Sequence, residues 1–248
     1  MAASRGAGEI GHHPAVPAAR PAPPRFTGFA KDAPRFFHEL AAEMNRDWFA
    51  EHKAEYESLW VGPMEALLGQ VAAGLRGSYR GLAMGEPKIF RIHRDVRFSA
   101  DKAPYKTHIA GVLPLVQGKK PTEGAVALYM HLGLDEFAGA GHYIFDTAQL
   151  ARWRKLVAAD KTGKVIAGLC DAAKKAGLDL GAHEVLARAP RGIDPAHPRL
   201  ELLRHKGLVT EFPAIPRGLI HKPGLVDWLV EQGKKSAPVV AWLAKNLG

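Results

Sequence analysis

KIFRIHRDVRFSADKAPYKTH, residues 88–108, sets the reading of the chain around it. Over 88–99 the side chains alternate. Phe90, Ile92, Val96 and Phe98 fall on one side, broken only by Arg94, and Arg91, His93, Asp95, Arg97 and Ser99 fall on the other. Alternate side chains of a β-strand point to opposite faces, so the pattern predicts a half-buried strand with its apolar face on a core and a face of ionisable groups. From Ala100 to Lys106 a proline and short or charged side chains predict a loop that adds Asp101, Lys102, Tyr105 and Lys106. Six cations (Lys88, Arg91, Arg94, Arg97, Lys102 and Lys106) stand against two carboxylates (Asp95 and Asp101), a local excess of four positive charges.

Working outward, 107–116, 125–132 and 137–145 read as three further strands, the first stopping near Pro114 and the turn after it formed by VQGKKPTEG. In the second of these, Val126, Leu128, Met130 and Leu132 share one face while Tyr129 and His131 share the other. The Ala and Gly residues of 137–145 leave space above the sheet, which in a strand interior marks close approach of a ligand or another backbone. Short turns between consecutive strands imply antiparallel pairing. Upstream, Asp32 with Pro34 predicts a helix start, and Asn45 caps a second helical stretch with an aromatic stripe through Trp48, Phe49, Tyr56 and Trp60, broken or kinked at Gly62-Pro63. That stripe reads as core packing. Downstream, helices are expected at 147–159, 161–175, around Leu200–Leu203, at 225–232 and at 238–247, with short strands at 184–189 and 208–215. The fold class is therefore α+β: an antiparallel sheet of about five to six strands, with N-terminal and C-terminal helices packed on it, in a single domain over 26–248.

The 248 residues suffice for a sizeable core. Residues 1–25, rich in Ala, Pro and Gly, read as a disordered leader, because they carry too little large apolar surface to offset their ordering entropy. The net charge of +9 favours acidic partners and says nothing about fold. The single cysteine, Cys170, excludes an intrachain disulfide and a cysteine zinc cage and points to a reducing cytoplasm. No membrane span or secretory signal is visible in the sequence, and no motif in it encodes the oligomeric state.

NRDWFAEHKAEY (45–56), KIFRIHRDVRFSADKAPYKTHIAG (88–111) and RAPRGIDPAHPRLELLRHKG (188–207) resemble the bacterial and fungal family catalogued as domain of unknown function 2461. The resemblance covers the chain from about Phe26 to the C-terminal helices. It departs at Gly141-His142-Tyr143-Ile144-Phe145, where the family pattern has an apolar residue followed shortly by a proline. It implies the fold and a cytoplasmic location and supplies no catalytic residues.

With the polar strand faces aligned, Arg91, His93 and Arg97 are expected to share a surface with Tyr129 and His131, rimmed by Lys102, Tyr105 and Lys106. Guanidinium forks and ammonium groups suit phosphate or carboxylate, so a small anionic ligand is the expected partner. Arg188, Arg191 and His197 precede a helix whose N-terminus attracts anions, so Arg191 is a candidate to complete the same site, against the preferred reading of this segment as a plain capping loop. His93, His131 and Tyr105 are the candidates for acid–base or nucleophilic work. The competing readings are nucleic-acid binding by cations interleaved with aromatics, and a scaffold in which Asp95 and Asp101 lock the loop in place. No metal or cofactor is expected: HExxH, EF-hand, P-loop and dinucleotide patterns are absent from the sequence.

Overall fold

The computed structural model describes residues 24–116 and 126–248. The expected leader falls almost wholly outside the described residues, as does the VQGKKPTEG turn after its first residue. Helix α1 (Ala33–Glu43) buries Phe36, Phe37 and Leu40. Asp32 stands at its N-cap position without a side-chain cap bond, and Pro34 presets the first turn. Asn45 does cap α2 (Arg46–Tyr56), its Oδ1 accepting from the Trp48 N–H at 2.8 Å. The expected break at Gly62-Pro63 is instead a single π-helical turn, Glu57–Val61, that carries α2 into α3 (Gly62–Leu75). Pro63 has no N–H to donate, and the widened turn absorbs that loss without ending the helix.

Six strands form one antiparallel sheet in the order β1-β2-β3-β4-β6-β5: β1 (Lys88–Ile89), β2 (His108–Pro114), β3 (Val126–Gly133), β4 (Phe137–His142), β5 (Asp179–Gly181) and β6 (Leu208–Glu211). Register assigns the faces. Ile109, Gly111 and Leu113 of β2 oppose Leu132, Met130 and Leu128 of β3, and the row continues through Ala138 and Ala140 to Thr210. This face lies under helices. A Cβ on Gly111 would stand 2.5 Å from Leu68 of α3, and Thr210 shares a hydrogen bond at 2.9 Å with Ser236 of α7 (Leu225–Leu247). Helices α4 (Thr147–Ala158), α5 (Asp160–Lys175) and α6 (Leu200–Arg204) complete the described helices, with Trp153 of α4 donating to the Leu202 carbonyl at 3.0 Å.

Three expectations are corrected. First, the C-terminal helices are one. α7 runs through Pro238 because Leu229, Gly233, Ser236, Val240 and Leu243 hold a continuous buried stripe, while Pro238 and Lys234 are exposed, so water can serve the Lys234 carbonyl that the proline leaves without a donor. Second, 184–189 is not a strand. Val185 makes only an isolated bridge to His205, and Asp179–Gly181 pairs with β6 in its place.

The third correction concerns the opening stretch. Only Lys88 and Ile89 enter the ladder, extended by the Phe90 N–H to the Ala110 carbonyl at 2.8 Å. Beyond Arg91 the chain pairs with its own continuation: Arg94 N–H to the Pro104 carbonyl and Lys106 N–H to the Ile92 carbonyl, both at 2.9 Å, with His93 bridging Tyr105. The tip is tied locally. Arg97 grips Asp95 with two bonds of 2.9 and 2.7 Å, Arg94 pairs with Asp101, and Asp101 accepts the Ala103 N–H. Acids close in sequence to the cations turn the chain back on itself, and Phe98 is left 95% exposed.

Candidate functional site

The helices cover one face of the sheet; the other is open and concave. Its centre is a trough of about 510 Å³ that follows β4, floored by Gly139 and Gly141. Both positions require glycine because β6 comes close. A Cβ on Gly141 would lie 2.2 Å from the Leu208 carbonyl oxygen, and one on Gly139 would lie 2.9 Å from the Val209 side chain. The same lack of side chains lowers the floor. Ala127, Tyr129 and His131 of β3 form one wall, Val209 and Glu211 of β6 the other, and Phe137 and Phe90 add aromatic surface. Tyr129 and Glu211 both pair with Gly139 in the strand register, so they face each other across the floor.

At the β2–β3 end the polar groups gather. His131 offers Nδ1 to the Tyr129 hydroxyl at 3.2 Å and Nε2 to Asp135 at 3.1 Å. His108, on the same face of β2, reaches the other oxygen of Asp135 with Nδ1 at 3.0 Å. The two imidazoles stack with centroids 4.4 Å apart at 21°. Burial, followed by the neighbouring His108, pulls the His131 pKa down against the pull of Asp135. For Asp135 burial is the largest single influence and acts upward. The His108 hydrogen bond and the two imidazole charges together outweigh it, so its pKa lies below the usual carboxylate range. Burial, then Asp135 and Tyr143, push the Tyr129 phenol up to about 12. Glu211 is raised as well, by burial first and then by Asp179 beside it.

The predicted site residues fall into separate groups. Tyr129 and His131 meet, as expected. It is Phe90 rather than Arg91 that shares their face, its ring centre 6.0 Å from that of Tyr129. Arg91 and His93 lie in a shallow second hollow with Lys53, Glu57 and Glu65, where cations and acids mix. Tyr105 is buried, its ring 4.6 Å from Phe49. Arg97 is held by Asp95, and Lys102 is exposed with its ammonium on the Val96 carbonyl at 3.0 Å. Arg191 is exposed on the loop before α6 and lines neither hollow. The expected convergence of cations is therefore absent, because the acids of the tip neutralise Arg94 and Arg97 locally and Arg91 turns to the other side.

Lys106 is the exception. It is half-buried, its ammonium lies 5.6 Å from the centre of the Phe90 ring and 3.3 Å from the Arg91 carbonyl, and no carboxylate lies within ion-pair distance of it among the described residues. Burial and the charge of Arg91 lower its pKa. Sequence reasoning missed His108, Asp135 and Glu211. A signal for His108 existed: pairing His131 with Ala110 places position 108 two residues along on the same face.

Residues 32–242 match the model of a family described as "Conserved hypothetical protein (DUF2461)". No curated protein and no solved structure matches the chain.

Proposed function

We propose, for a chain that belongs to the DUF2461 family, that the open face of the sheet binds a small ligand with a flat apolar body and one anionic group. The observation that carries this reading is the glycine-floored trough, whose volume lies within the range of small-molecule sites and whose few polar groups stand at its margins. The body rests on Gly139 and Gly141 between Tyr129, Phe137 and Val209. The anionic group turns toward Lys106, a half-buried ammonium without a carboxylate, and away from Glu211, which gives the ligand a direction across the sheet. Tyr129, whose phenol burial keeps protonated and which is hydrogen-bonded to His131, is the hydroxyl that meets it as a hydrogen-bonding group. A cytoplasmic location fits a chain in whose described residues no helix is long and apolar enough to cross a membrane.

The test is fluorescence titration with 1-anilinonaphthalene-8-sulfonate, a flat aromatic sulfonate, followed by thermal-shift screening of phosphorylated and carboxylated metabolites. One saturable site is expected. Ala127→Trp, which fills the trough, should abolish binding, and Lys106→Met should weaken it about tenfold, the effect of losing one charge-assisted contact. Absent saturation, or binding indifferent to Ala127→Trp, would refute the reading.

Nucleic-acid binding keeps one supporting observation: Phe98, fully presented at a loop tip, with the Arg97 guanidinium 5.7 Å from its ring centre. That reading requires a gel shift that weakens steeply with salt and is lost in Phe98→Ala.

A further inference from the structure

We propose that His108, His131 and Asp135 form a binding site for a divalent first-row transition-metal ion, with the ion's remaining coordination positions open beside the trough. The ligand atoms are Nδ1 of His108, Nε2 of His131 and the Asp135 carboxylate, which all lie within 4.8 Å of one another.

Four features of the cluster fit an ion. The first is spacing. Neighbouring ligand atoms at bond lengths of about 2.0–2.2 Å around one ion stand about 2.8–3.6 Å apart, from octahedral to tetrahedral angles. His108 Nδ1 lies 3.0 Å from one Asp135 oxygen and His131 Nε2 lies 3.1 Å from the other, both inside that span, so the carboxylate can meet the ion through either oxygen. The second is direction: two stacked imidazoles on adjacent strands aim a nitrogen each at one carboxylate, which groups three donors on one side of a common point. The third is the surround of His131. Its other nitrogen is engaged by the Tyr129 hydroxyl, the outer contact that fixes the ring and tautomer of a metal-bound histidine. The fourth is access. Both imidazoles are largely covered, with side-chain exposures of 21% and 16%, whereas Asp135 is 62% exposed, so an ion can enter from solvent.

The donor set selects the class of ion. Two imidazoles and one carboxylate suit zinc, iron, manganese, cobalt or nickel and disfavour calcium and magnesium, which take oxygen ligands. Since His131 also lines the trough, water or a ligand atom in that hollow can complete the coordination sphere. Tyr129 then touches both the ion's ligand and whatever occupies the trough. The proposal departs from the sequence expectation of no metal. Asp135 sits in the β3–β4 turn, four residues after His131, and joins His108 only through strand pairing, which no linear motif displays.

The ion site stands whether or not the trough takes an organic ligand, and its test uses no ligand. The full chain, with His12→Ser and His13→Ser to remove an adventitious pair, is stripped with a chelator and titrated with Co²⁺ by visible d–d absorption, then with Zn²⁺ in competition with a chromophoric chelator. One ion per chain with a Kd of about 1 µM or tighter is expected. Asp135→Asn, in an exposed turn, and His108→Gln should each weaken it at least about tenfold while the far-UV circular dichroism is unchanged. In the chain with both imidazoles of the site intact, Zn²⁺ should shift the imidazole ¹⁵N resonances of His108 and His131, a readout that needs no variant at the site. Absent stoichiometric binding, affinity undiminished in both variants, or unmoved His108 and His131 resonances would overturn the proposal.

Discussion

Arg199→Ala should be among the most damaging single changes outside the apolar core. The side chain is 8% exposed and closes the C-terminal end of α4: Nε donates to the Val157 carbonyl at 2.7 Å and Nη2 to the Ala158 carbonyl at 2.9 Å, and Nη2 also meets Asp160 at 3.2 Å. The last carbonyls of a helix have no partner within it and carry the negative end of its dipole, so the guanidinium caps α4 and fastens the 188–199 loop to the α4–α5 joint. Truncation leaves two carbonyls without donors, at about 1–3 kcal/mol each, and opens the space now occupied by the side chain. The expected loss is about 3–5 kcal/mol. Arg199→Lys should lose about half as much, because one ammonium cannot span both carbonyls as the planar fork does. Asp160→Asn should leave stability nearly unchanged, its carboxylate being exposed. Urea unfolding followed by tryptophan fluorescence and by circular dichroism measures all three. A loss below about 1 kcal/mol for Arg199→Ala, at unchanged m, would refute the capping argument.

Pro238→Ala should raise stability by about 1–3 kcal/mol in the same assay, since it restores a helix hydrogen bond at an exposed position of α7. Thr210→Val should cost about 1–2 kcal/mol, because Thr210 Oγ1 bonds the buried Ala140 carbonyl at 2.7 Å, while Ser236 keeps the Gln232 carbonyl at 3.1 Å. Burial above all depresses the pKa of His205, partly opposed by Glu201. Its contribution is complete above the ordinary histidine value of about 6.5 and is lost as pH falls from there toward the folded value. Unfolding curves at pH 5 and 7.5 should therefore differ less in His205→Leu than in the native chain. Lys102→Ala should leave the melting temperature unchanged, since its bond to the Val96 carbonyl is exposed; a large drop would add Lys102 to Asp95 and Asp101 among the groups that lock the loop.

What the sequence displayed depended on the range of the interaction responsible. β3 was readable because its alternation answers to two real environments, helices beneath Leu128 and Met130 and the open face at Tyr129 and His131. The alternation over 88–99 looked the same and misled. Ile92 is buried against α2 and α3 residues, whereas Phe98 faces water, so period two reflected a local turn and not a sheet. The helix cap at Asn45 is short-range and legible; the continuity of α7 through Pro238 depends on a buried stripe that only the folded partner surfaces reveal. The candidate site was half visible for the same reason. Tyr129 and His131 are neighbours on one strand, but His108 and Glu211 reach them only through pairing of β2, β4 and β6, and Asp135 only through the fold of the β3–β4 turn.

The hairpins β2–β3–β4 are complete by His142, yet α7, which roofs β3 and β4, begins only at Leu225. During translation the inner sheet surface, with Leu128, Met130 and Ala140, therefore waits unroofed while the intervening residues emerge from the ribosome. In that interval α3 is already available to cover β2, but the apolar rows of β3 and β4 have no roof, and the nascent chain is then most prone to aggregate.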